Sequence, residues 1–77
     1  MSKLESIIRT ALNLPEQTVY GDELGMESCH AWDSMAQIRL VVALEKELNA
    51  SFTPDEAMSL DSVASIKRIL AKKGIEA

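Results

Sequence analysis

The chain holds one cysteine, Cys29, with three glycines, two prolines and a single Trp, Tyr and Phe among its 77 residues. A lone cysteine closes no internal disulfide, and no Cys/His spacing resembles a zinc site, so no metal is expected. So little glycine and proline, beside 47% apolar residues, argues against a disordered chain. The shortage of aromatic rings requires a core of Leu, Ile, Val, Met and Ala. No apolar run approaches the roughly 20 residues of a membrane span. The opening residues Met1–Glu5 lack the apolar stretch of a secretory signal. A cytoplasmic, reducing setting without membrane insertion follows as the expectation. Bases are also scarce: eight Lys and Arg against twelve Asp and Glu leave a net charge of −4. An acidic surface repels phosphate backbones, which excludes nucleic acid as the expected partner and favours basic protein surfaces.

What is present is helical periodicity. Leu4, Ile7, Ile8, Ala11 and Leu12 form one apolar stripe over residues 2–13; Ser2 and Glu5 read as a capping box, and Pro15 stops the helix. A second helix is expected over 34–49, with Ile38, Val41, Val42, Leu44 and Leu48 inward, Met35 at the edge and Leu40 off the arc. Thr53, Pro54 and Glu56 give an N-cap, a first helical position and a box partner for a short helix ending near Met58 or Leu60. Asp61-Ser62 opens a last helix through about Lys72, with Val63, Ile66, Ile69 and Leu70 inward. Lys67, Arg68, Lys72 and Lys73 crowd its second half, and Gly74 stands just past its end.

The predicted fold is all-α: a small four-helix bundle of three main helices and one short one, forming a single domain over 1–77. Such a chain buries only about 60% of its unfolded surface, so modest stability is expected. Residues 15–33 follow no period. Connections of that length are uncommon unless they serve a function or carry anchors, here Val19, Tyr20, Leu24, Met26 and Trp32.

Chemistry concentrates where that connection meets the second helix, at Trp32-Asp33-Ser34-Met35. A serine at a helix start exposes its hydroxyl beside unpaired backbone N–H groups, and those groups with the helix dipole favour an attached phosphate. The same residues also read as an ordinary cap, with Ser34 and Gln37 as a capping box. On these residues alone both readings stand. Asp61-Ser62-Val63 repeats the pair but follows no long loop, so it reads as a cap. Cys29 and His30 are adjacent in sequence, have no third orienting group and suggest a loop thiol and a solvated imidazole. Trp32 reads as a loop anchor and Glu45-Lys46-Glu47 as a solvated face. No catalytic residue is expected.

Over its whole length the chain resembles the acyl carrier protein family of fatty-acid, polyketide and peptidyl carriers. That family's Asp-Ser-Leu motif stands here as Asp33-Ser34-Met35, and its Leu-Glu-x-x-Phe or Leu helix ending as Leu44-Glu45-Lys46-Glu47-Leu48. Its third-helix entry is matched by Thr53-Pro54-Asp55-Glu56-Ala57. Asp61-Ser62-Val63-Ala64-Ser65-Ile66 lies where many members open the last helix.

The resemblance implies that Ser34 receives 4′-phosphopantetheine from coenzyme A through a magnesium-dependent phosphopantetheinyl transferase. Asp33 would present the serine, a role compatible with its also capping the helix, and Met35 would touch the base of the arm in place of a leucine of similar volume. The implied function is an acyl or aminoacyl carrier, a monomer with no catalysis of its own. Its cargo rides as a thioester and is exchanged with an acyl-activating ligase or with synthase and transferase enzymes. The second helix departs from the strongly acidic face of fatty-acid carriers. Its expected outward positions include Ala36, Arg39, Ala43 and Lys46 beside Glu45 and Glu47. Recognition is therefore expected through Met35, Ala36, Leu40 and Ala43, with Arg39 in the same interface. The Trp before Asp-Ser is similar to standalone carriers of specialised pathways such as surface-polysaccharide or natural-product assembly. Two rivals remain: an unmodified helical interaction module, and a small hydrolase using Ser34 and His30, which the size and missing machinery disfavour.

Overall fold

Ser2 starts the first helix, α1 (Lys3–Leu12), by accepting a hydrogen bond from the Glu5 N–H at 3.1 Å. In this computed structural model, which describes residues 2–75, the expected capping box is only half made. The Glu5 carboxylate pairs with Arg9 at 2.9 Å instead of returning to the Ser2 amide. Leu4, Ile7, Ile8 and Leu12 are buried as the stripe requires. Asn13 ends the helix in the left-handed region at φ 51°, and the Leu14 N–H bonds back to the Arg9 carbonyl. Met1, Glu76 and Ala77, which the expected domain includes, lie outside the described residues.

Residues 15–33 are held both by side-chain anchors and by backbone hydrogen bonds. Leu24 and Trp32 are buried and Tyr20 is half-buried, but Val19 and Met26 are exposed, contrary to expectation. The loop is stitched to the last helix: Met26 N–H donates to the Asp61 carbonyl, and Val63 N–H to the Leu24 carbonyl, each at 2.9 Å. Between them Gly25 makes an isolated antiparallel bridge with Ser62. A Cβ at Gly25 would stand 2.5 Å from the Asp61 carbonyl oxygen, so the close approach needs glycine.

Helix α2 (Ser34–Leu48) packs against α1 and ends at Asn49, again left-handed at φ 51°. Its inward face is the expected one in part: Leu44 is buried and Val41 and Leu48 are half-buried against the core, but Ile38 and Val42 turn outward while Ala36 and Leu40 turn in. Ala36, Leu40 and Leu44 are the buried residues, whereas Ile38 and Val42 are 60% and 58% exposed. The helix is apolar around most of its circumference, so periodicity alone admits several registers. The one adopted turns the small Ala36 and the two leucines inward and leaves the β-branched pair outside.

Helix α3 (Pro54–Met58) begins with a complete capping box between Thr53 and Glu56. It buries none of its own residues and is held from outside. Lys73 pairs with Glu56 at 2.9 Å and lies 5.4 Å from the centre of the Phe52 ring. Helix α4 (Val63–Lys72) buries Val63, Ser65, Ile66, Ile69 and Leu70. Gly74 follows at φ 72°, with Gly74 N–H on the Ala71 carbonyl and Ile75 N–H on the Leu70 carbonyl, a Schellman motif. Four helices and no strand beyond the single bridge make an all-α bundle among the described residues.

Candidate functional site

The start of α2 is built by Asp33. Its carboxylate accepts from the Ala36 N–H and its carbonyl from the Gln37 N–H, both at 2.8 Å. Asp33 is therefore the N-cap, as one of its two expected roles allowed, whereas Ser34 and Gln37 do not form the expected capping box. The Asp side chain outcompetes the serine for the role because it stands one residue earlier, where the backbone is still extended. Ser34 is the first helical residue. It is exposed, and among the described residues its hydroxyl has no hydrogen-bond partner. Its own N–H and that of Met35 are likewise unbonded among the described residues. Two amides at the positive end of a 15-residue helix thus flank a free hydroxyl, a setting that suits an anionic ester on that oxygen.

The second Asp-Ser pair is occupied. The Ser62 hydroxyl accepts from the Ser65 N–H at 3.1 Å and donates to the Ser65 hydroxyl at 3.0 Å. The first amides of α4 are also spent: Val63 on the Leu24 carbonyl, Ala64 on the Asp22 carbonyl at 3.2 Å, and Ile66 on the Ser62 carbonyl. No amide is left there to receive a phosphate.

Beside Ser34 lies an exposed apolar surface. Met35, Ile38 and Val42 on α2 and Met58 on α3 all face outward. A groove of about 230 Å³ between the two helices is lined by Gln37, Ile38, Val41, Val42, Ala57 and Met58. The expected interface was Met35, Ala36, Arg39, Leu40 and Ala43. Ala36 and Leu40 are fully buried and cannot serve it, and Ala43 is half-buried. Met35 and Arg39 are exposed, Arg39 donating to the Ala11 carbonyl at 3.3 Å. The exposed large apolar residues beside Met35 are instead Ile38, Val42 and Met58. They were missed because a helical wheel ranks the bulky apolar residues inward. The small Ala36, at i−4 from Leu40, was the available signal for a closely packed face.

Gln37 also escaped notice as anything but a cap. Its Oε1 accepts from Trp32 Nε1 at 2.7 Å, and its Nε2 donates to the Ala57 carbonyl at 2.8 Å. Cys29 is half-buried against the core and His30 is exposed. The Glu56 carboxyl at the head of α3 is held below its ordinary range, first by the hydrogen bond from Lys73 and then by the Thr53 amide. Glu45 is not wholly a solvated residue, since its carboxylate accepts from the Phe52 N–H at 3.0 Å.

A family model described as the phosphopantetheine attachment site matches residues 2–70. The acyl carrier protein of Buchnera aphidicola subsp. Baizongia pistaciae is 39% identical over 70 residues, which cover 91% of this chain and 88% of that one. The solution NMR structure of holo acyl carrier protein from Geobacter metallireducens superposes with a TM-score of 0.76 at 26% identity. The match covers 95% of this chain and 86% of that chain.

Proposed function

The chain belongs to the acyl carrier protein family, a carrier rather than an enzyme with covalent phosphopantetheine as its cofactor, and from that premise we propose that Ser34 is the attachment residue. The observation that carries this is the unbonded hydroxyl at the first position of α2, next to two unbonded amides and in the open. In the transfer, the Ser34 oxygen forms the new P–O bond and its proton leaves to a base on the phosphopantetheinyl transferase. The pyrophosphate bond of coenzyme A breaks and the adenosine bisphosphate half departs. When bound, the arm supplies a thiol whose thioester activates an acyl or aminoacyl group and keeps it at high effective concentration near partner active sites. Asp33 holds the first turn in shape while Ser34 stays free of internal bonds. The Ser34 and Met35 amides would receive the phosphodiester, and the Met35 side chain would flank the base of the arm.

The partners are the transferase and the acyl-activating ligase or synthase and transferase enzymes that load and unload the arm. The face offered to them is Met35, Ile38, Val42 and Met58, with Arg39 at its margin. The exposed charges of α2 beyond Asp33 are mixed, Arg39 and Lys46 against Glu47, which supports apolar recognition, and the Trp before Asp-Ser supports a standalone carrier of a specialised pathway, read as cytoplasmic. The chain acts as one domain and as a monomer.

Incubation with a broad-specificity phosphopantetheinyl transferase and coenzyme A, followed by intact mass, tests the assignment. One pantetheinyl addition is expected in the native chain and in Ser62→Ala, and none in Ser34→Ala. Addition to Ser34→Ala would move the site elsewhere, and no addition to any chain would make this an unmodified interaction module.

A further inference from the structure

We propose that Gln37 is a positioning residue that locks the Ser34 turn and α3 into one unit, so that partner enzymes meet a preformed surface. The inference rests on Ser34 being the attachment residue. A side-chain amide has an acceptor end and a donor end, and Gln37 uses both on different parts of the chain. Its oxygen takes the indole N–H of Trp32 at 2.7 Å, and its nitrogen gives to the Ala57 carbonyl at 2.8 Å. Trp32 is 1% exposed and stands two residues before Ser34, so its ring fixes how the backbone enters α2. Ala57 lies within α3, which has no buried residue of its own.

Among the described residues, the other side-chain tie from the body to α3 is the Lys73–Glu56 pair, which is partly solvated. Gln37 stands three residues after Ser34, on the same side of the helix, and lines the groove beside Ile38 and Met58. The relay thus ties the place of Met58 to that of Ser34, while Lys73 and the buried Leu60 hold α3 against the body. The relay also acts as a unit. If Gln37 swings away, the Trp32 N–H is left buried without a partner, so the bonds at the two ends form and break together.

The test measures KM and kcat for the chain as substrate of a broad-specificity phosphopantetheinyl transferase. Gln37→Met keeps the length of the side chain and removes both bonds, while Trp32→Phe keeps an aromatic ring in the core and removes the N–H. Each variant is expected to raise KM for the carrier about tenfold with kcat changed less than about twofold, because the loss falls on docking. The double variant should be no worse than either single, since both interrupt one relay. Hydrogen exchange at the α3 amides should speed up in both. KM values near that of the native chain, or effects that multiply in the double variant, would overturn the proposal. Loss of the helical circular-dichroism signal in both variants would also overturn it, by making the pair a packing element only. A native chain that takes no arm would defeat the attachment assignment, and this inference with it. A modified native chain with unchanged variants would defeat this inference alone.

Discussion

The Asp33 carboxylate receives the Ala36 amide at 2.8 Å, and the neighbouring Ser34 hydroxyl has no internal bond to lose. Asp33→Ala should therefore cost about 1 kcal/mol as a lost N-cap, whereas Ser34→Ala should stay within about 0.5 kcal/mol of the parent. Urea unfolding of the two variants checks this, and equal costs would contradict the division of labour. Residue chemistry alone left the pair ambiguous, because serine and aspartate are both good caps. What separates them is register: only the residue that is still extended when the helix begins can turn its side chain back onto the third amide. The φ of −101° and ψ of −173° at Asp33 decide the matter, and no composition rule contains them.

Short α3 depends on attachments at its two ends more than on burial. At its head the Glu56 carboxyl is depressed by Lys73 and the Thr53 amide. A depressed carboxyl stabilises the fold above its ordinary value of 4.5 and loses that contribution as pH falls from there through its lower folded value. Thermal unfolding followed from pH 6 downward should show a shallower acid decline in Glu56→Gln than in the native chain. A parallel decline would mean that the Lys73 contact does not act on stability. Among the elements, α1 and α4 were legible because each has one narrow apolar stripe, and α3 because Thr53-Pro54-Asp55-Glu56 is a dense start signal. The face of α2 was not legible. Ile38, Val41, Val42, Leu40 and Leu44 surround most of the helix, and tertiary packing against α1 chooses among them.

For the molecule as a whole, the charges and the exposed apolar surface point to different modes of encounter. The net charge of −4 is spread over a 30 × 25 × 20 Å body, while Met35, Ile38, Val42 and Met58 gather beside Ser34. Screening between low and physiological salt should therefore change the transferase KM for this chain by less than about threefold. A steep salt dependence would show that docking is electrostatic and that the apolar face is incidental. Of that face the sequence showed Met35, while Ile38 and Val42 were hidden by the α2 register and Met58 by its place on another helix. The turn that presents Ser34 was visible as a junction between the long connection and α2, and its proposed role came from the whole-chain resemblance and not from the turn itself.

The stitching of residues 22–26 to residues 61–64 has one more consequence. Two segments far apart in the chain share a single set of hydrogen bonds, with Gly25 fitted to the Asp61 oxygen. A graft that moves the long connection into another scaffold, while leaving the beginning of α4 behind, would strand both donors and acceptors. The pieces form one heritable block, and any chimera must carry them together.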